Sequence, residues 1–193
     1  MSFEEEGEMQ IVSKLMFPAS LILLVFSVGL NFVLAEEIKG LRRNIGKLKS
    51  ETSIKPGDSV PDILGVSPER VETIFRFKDD TRSTVVYFFS PRCSWCVKNR
   101  ELFAKLHSSQ KDRFRWVAVS LDTTNVEEFV RESNMAMPVL SQVPDEVLDS
   151  YRIEGTPQTF VVASDGRVLK KWVGSFTGSV GAEMESFFGS SLQ

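Results

Sequence analysis

The chain has 193 residues but only two cysteines, one histidine and no excess of positive charge. Each shortage excludes something. With only Cys93 and Cys96 available, a framework of structural disulfides cannot form. A bridge between the two would close too short a ring to restrict the unfolded chain much. A zinc site needs about four ligands, and His107 with the two cysteines falls short of that set. No metal or cofactor is therefore expected. The formal charge is -3, and no basic face carries interleaved aromatics, so nucleic acid is not an expected partner. No internal repeat or low-complexity tract is visible. Both cysteines sit in one motif, so their number does not by itself declare an oxidising compartment.

What the chain does have is Cys93-Ser94-Trp95-Cys96 in a telling context. Before it runs Thr84-Val85-Val86-Tyr87-Phe88-Phe89, β-branched and aromatic, which reads as a buried strand. Ser90-Pro91-Arg92 makes a turn, and Val97, Leu102, Phe103 and Leu106 follow at helical spacing. A thiol at a helix N-terminus faces unpaired backbone N–H groups and the positive end of the helix dipole. Both favour the thiolate, the species that attacks a disulfide. A second thiol one turn later can close a small disulfide ring and expel what the first has captured. This pattern points to redox chemistry.

Residues 1–14 form a polar, acidic tail with Glu4, Glu5, Glu6 and Glu8. Residues 15–35 carry no charge, the length that spans a bilayer as a helix. A cleaved signal peptide is the competing reading, since Val33-Leu34-Ala35 is an acceptable cleavage pattern. The run is longer than an ordinary signal core and its flank is acidic, which favours an uncleaved anchor. Orientation is contested. Lys14 is the only basic residue before the span, whereas Lys39, Arg42, Arg43, Lys47 and Lys49 follow it, and this balance alone places the large domain inside. Residues 36–54 read as a helical stalk. Leu34, Ile38, Leu41, Ile45 and Leu48 make a short heptad seam that supports at most a weak dimer.

Lys55-Pro56-Gly57-Asp58 ends the stalk, and residues 55–193 form the main domain. Residues 60–64 read as an extended edge and 72–77 as a strand. Residues 114–121 make a nearly continuous apolar strand, followed by Asp122-Thr123-Thr124 as a cap for a helix carrying Val126, Phe129 and Val130. A short extended piece at 138–140 and a helix over 145–151 come next. Gly155-Thr156-Pro157 leads into a strand over 158–163, and Ser164-Asp165-Gly166 turns it into another over 167–173. A helix over 182–188 closes the chain. The order predicts an α/β fold with a mixed central sheet and helices on both faces.

These residues resemble the thioredoxin superfamily, and more narrowly its membrane-anchored thiol-disulfide oxidoreductases of the cytochrome c maturation reductase type. Four stretches carry the resemblance: Pro56-Gly57-Asp58-Ser59-Val60-Pro61-Asp62, Phe88 to Cys96, Gly155-Thr156-Pro157 and Ser164-Asp165-Gly166. The resemblance implies a thioredoxin-like fold behind one N-terminal transmembrane helix. It implies that Cys93 attacks and Cys96 resolves, that Pro157 is cis and packs against the disulfide, and that Thr156 offers backbone to a bound protein substrate. It further implies a membrane electron donor and a domain outside the cytoplasmic membrane, against the charge balance. Trp95 is expected to serve as a substrate platform or to shield the disulfide. Its Cys93 side of the pair is expected to have the lower pKa and the greater exposure.

The chain also departs from its relatives. Where many carry an acidic residue three positions after the second cysteine, this chain has Asn99. Where thioredoxin has a buried aspartate in the central strand, it has Tyr87, read here as core packing. Both changes remove a proton acceptor for Cys96. His107 is expected to be exposed and uninvolved, with Trp116 and Trp172 in the core. Three other functions compete. A binding module on this fold has no chemical need for the cysteine pair. A thiol peroxidase fits Ser90 three before Cys93, but Val86 replaces a loop proline. A copper carrier lacks a later histidine.

Overall fold

The computed structural model describes residues 23–40 and 53–191. The chain divides into two compact units, Met1–Thr52 and Ser53–Gln193. In the first unit, residues 23–40 are helical (α1), and apolar side chains such as Leu23, Phe26 and Phe32 are exposed. Among the described residues no helix is long and apolar enough to cross a membrane. Residues 15–22 of the expected span lie outside the described residues, as do the acidic tail and the stalk over 41–52.

The second unit is built on β3 (Thr84–Phe89), in which all six residues are buried. Its alternation divides the core into two layers. Val85, Tyr87 and Phe89 face one side; Val86 and Phe88 face the other. β3 pairs in parallel with β4 (Arg115–Ser120) and antiparallel with β6 (Gln158–Val162). With β5 (Val139–Leu140) and β7 (Val168–Val173) the sheet runs β5-β4-β3-β6-β7. A strand with a partner on both sides and helices over both faces must be apolar throughout, which is why β3 and β4 read as continuous apolar runs.

On the first face lie α2 (Ser94–Lys98), α3 (Arg100–Gln110), α4 (Val126–Glu132) and α6 (Gly178–Phe188). They contribute Cys96, Phe103, Leu106, Phe129, Met184 and Phe188 to the core. The other face is covered by α5 (Asp145–Tyr151) and a separate antiparallel hairpin, β1 (Ile63–Val66) with β2 (Glu72–Phe75). An isolated bridge joins Val66 to Ser141, beside β5.

Several local expectations are corrected. The segment after the cysteines is two helices that meet at Asn99, where ψ opens to -8 while the Asn99 N–H still donates to the Trp95 carbonyl and the Phe103 N–H to the Asn99 carbonyl; the buried Asn99 side chain accepts from the Phe176 N–H. The strand expected over 72–77 stops at Phe75, and Phe77–Asp79 is a 3-10 turn. Its start is fixed by Asp62, which accepts from the Phe77 N–H. The cap expected at 122–124 does not form. Asn125 precedes α4 without a side-chain cap bond, while Asp122 is drawn to the cysteine turn instead. Gly166 has φ 84 in the turn between β6 and β7, a left-handed conformation that glycine adopts at little cost.

Candidate active site

The end of β3 delivers the chain into a tight turn. The Cys93 N–H donates to the Ser90 carbonyl at 3.1 Å. The Ser90 hydroxyl accepts from the Arg92 N–H at 3.2 Å and donates to the Asp122 carboxylate, which also pairs with the Arg92 guanidinium. Arg92 and then Ser90 hold the Asp122 carboxyl below its ordinary value. This carboxylate thus braces the turn from the end of β4. The Ser90 hydroxyl is thus engaged within the turn.

Cys93 is the N-cap of α2, with extended backbone, and both cysteines are free thiols. The two sulfurs differ sharply in setting. Burial pushes the half-buried Cys93 thiol up, but hydrogen bonds from the Thr156 side chain and from the Cys96 and Trp95 N–H groups outweigh it. The net effect places Cys93 below the ordinary thiol value. Its Sγ also donates to the Thr156 carbonyl at 3.2 Å. Only the protonated form can make that contact, so it seats the resting thiol, whereas the N–H groups favour the thiolate. Cys96 is fully buried. Burial, reinforced by the neighbouring Cys93, pushes its thiol up to about 12 against an opposing hydrogen bond from the Ser90 backbone.

Thr156–Pro157 is a cis peptide bond, and Pro157 is buried. The loop is fastened on both sides. The Pro157 carbonyl accepts from the Gly174 N–H at 2.8 Å. Glu154 pairs with Lys171, accepts from the Ser53 hydroxyl at 2.7 Å, and sends its N–H to the Gln158 side chain at 3.0 Å. Trp95 is 52% exposed, with Lys98 Nζ 4.6 Å from its ring centroid. Cys93, Cys96, Thr156 and Pro157 therefore converge on one corner, and Trp95 projects from the same turn.

His107 is half-buried rather than exposed, and its ring meets Trp116 edge-on at 5.2 Å. Trp116 and Trp172 are buried, as expected. Sequence reasoning missed the Asp122 brace and the Ser53–Glu154–Lys171 cluster. The acidic residue directly after an apolar strand was the available signal for Asp122; the second cluster joins residues too far apart in sequence to leave one.

A mixed sheet whose central strand ends in a dithiol at a helix N-terminus, facing a cis-proline loop, defines a thioredoxin-like protein. The AhpC/TSA family matches residues 56–171, and the chain belongs to that family. Over 140 residues it is 26% identical to the thiol-disulfide oxidoreductase ResA of Oceanobacillus iheyensis, covering 69% of this chain and 73% of that protein. The thioredoxin domain of a thiol-disulfide oxidoreductase from Bacteroides vulgatus superposes with a TM-score of 0.59 at 24% identity, over 70% of this chain and 99% of that one. A DsbE-type thiol:disulfide interchange protein from Chlorobium tepidum gives 0.59 at 22% identity, over 71% and 98%. At these identities the two structures speak for the fold alone.

Proposed function

We propose that the chain is a thiol-disulfide oxidoreductase that reduces disulfides of proteins outside the cytoplasmic membrane, using Cys93 to attack and Cys96 to resolve. The observation that carries this is the contrast between the two sulfurs: an accessible thiol poised to ionise beside a buried one held protonated. The printed names of its relatives support the same chemistry. In the first half-reaction the Cys93 thiolate attacks a substrate disulfide, forming a mixed disulfide and releasing one substrate sulfur as thiolate. Cys96 then attacks Cys93 Sγ. The Cys93–Cys96 bond forms, the second substrate sulfur leaves, and the proton lost by Cys96 is balanced by protonation of that leaving sulfur. Thr156 backbone and Trp95 are suited to hold the substrate segment. A membrane electron donor returns the disulfide to the dithiol.

The uncharged run over 15–35 supports tethering through a single span; the family resemblance, against the charge balance, favours a domain outside, and the heptad seam of the stalk a weak dimer contact. Membrane fractions that keep the protein through carbonate washing, and a C-terminal reporter active only outside the cytoplasm, are the expected results.

The decisive experiment uses each cysteine variant in cells. Cys96→Ser should accumulate partner proteins as adducts that dissolve in reductant on a gel; Cys93→Ser should accumulate few. Equal trapping by both overturns the division of roles. No trapping, with wild-type protein inert in insulin reduction, favours a binding module on the same fold.

A further inference from the structure

The rim of the dithiol carries a cation without a carboxylate of its own. Trp95 and Lys98 lie three residues apart on α2, so they share one face of that helix. Lys98 is exposed, and its Nζ stands 4.6 Å from the centroid of the Trp95 ring. A cation over an aromatic face is attracted by the ring's electrons, which holds the ammonium beside the tryptophan. An ammonium has three donors, and one ring cannot take them all. Trp95 is exposed and Val97 is 40% exposed, so apolar surface adjoins the charge.

Other cations that flank this corner are already paired. Arg92 pairs with Asp122, Arg100 with Glu132 at 2.7 Å, and Lys171 with Glu154. Among the described residues no carboxylate pairs with Lys98; Glu101, three residues further on, lies beyond the junction at Asn99. The chain as a whole has a formal charge of -3. The corner that presents Cys93 nevertheless shows an approaching partner an unpaired positive charge next to apolar surface. Charge complementarity of this kind steers and selects partners more than it adds affinity.

We propose that Lys98, held over Trp95, selects disulfides whose protein segment carries an acidic side chain and an apolar one beside the reacting cystine. The inference names a substrate class for the dithiol reading above and rests on it. The apolar side chain covers Trp95 and Val97, and the carboxylate accepts from the Lys98 ammonium. The attack itself is unchanged: Cys93 Sγ bonds to one substrate sulfur, the substrate S–S bond breaks, and the other sulfur leaves as thiolate. Lys98 meets the substrate away from the reacting sulfurs, so its effect follows the charge of the substrate rather than the ionisation of Cys93.

The test mixes reduced full-length protein with two aromatic disulfides that differ only in charge. Dithiobis(nitrobenzoate) carries a carboxylate on each ring and its dicarboxamide carries none; both release a coloured thiolate, and the initial attack is followed by stopped flow. Lys98→Gln should slow attack on the carboxylate form by about two- to fivefold, the scale of one exposed ion pair, and leave the carboxamide rate unchanged. Lys98→Arg should keep the preference, and raised salt should weaken it in the wild-type protein. Lys78→Gln makes an equal charge change before the start of β3, whereas the dithiol follows its end, and should leave both rates alone. If Lys98→Gln slows the carboxylate form no more than the carboxamide, or if Lys78→Gln slows it as much, the inference falls while the dithiol reading stands. Wild-type protein that releases no thiolate from either disulfide overturns both.

Discussion

Removing one cysteine at a time turns the contrast between the two sulfurs into a rate. In Cys96→Ser the surviving Cys93 lies below the ordinary value of 9.0, so at pH 7 more than about one molecule in a hundred carries the thiolate. In Cys93→Ser the surviving Cys96 starts from about 12, which at pH 7 is about one molecule in a hundred thousand. The more basic thiolate is intrinsically the better nucleophile. With a Brønsted slope of about 0.4–0.5, that recovers about thirtyfold. The remaining advantage of Cys93 is at least about thirtyfold, before the burial of Cys96 restricts the reagent further. Losing Cys93 also removes its upward influence on Cys96, but burial is the larger cause and stays. Alkylation by iodoacetamide, followed by intact mass across the pH range, reads both rates. The rate for Cys96→Ser should reach half its plateau below pH 9.0, and that for Cys93→Ser should still be climbing well above it. Equal alkylation of the two variants at pH 7 would refute the reasoning.

The raised Cys96 thiol also couples folding to pH. Its contribution to the stability of the reduced protein is complete below the unfolded value of 9.0 and is lost as pH rises from there through about 12. Urea midpoints of the reduced form should fall across that window more steeply than those of the oxidised form. Gly181→Ala, ordinarily worth about 1 kcal/mol of gain inside a helix, should instead lower the melting temperature. A Cβ there meets the Phe176 carbonyl oxygen at 2.5 Å, and displacing Phe176 disturbs the Asn99 anchor as well.

The parts of the site carried by local sequence were legible in advance. The apolar run of β3, the turn and the cysteine spacing are contiguous, and the cis-proline loop announces itself through Gly155-Thr156-Pro157. Burial of Trp116 and Trp172 followed from their strand pattern. Contacts made across long stretches of chain were not legible. Asp122 is a plausible helix cap in sequence because its actual partners, Ser90 and Arg92, precede it by 32 and 30 residues. Asn99 looks like an ordinary helical residue, because the partner of its buried side chain, the Phe176 N–H, lies 77 positions later. Tyr87 was rightly assigned to the core, where its ring stacks on Phe103.

The strand order has a further consequence for behaviour at high concentration. Unpaired sheet edges invite edge-to-edge joining of neighbouring molecules. Here one margin is the two-residue β5, with its flank taken by the Val66–Ser141 bridge. The opposite margin, β7, carries Lys170 and Lys171 side by side. The first is too short to template a strand; the second is already bonded at its start to residues 57 and 58, and of its two lysines Lys171 is taken up by Glu154. Copies held close together on one surface therefore find little backbone to share, and the domain resists fibrous aggregation through its topology.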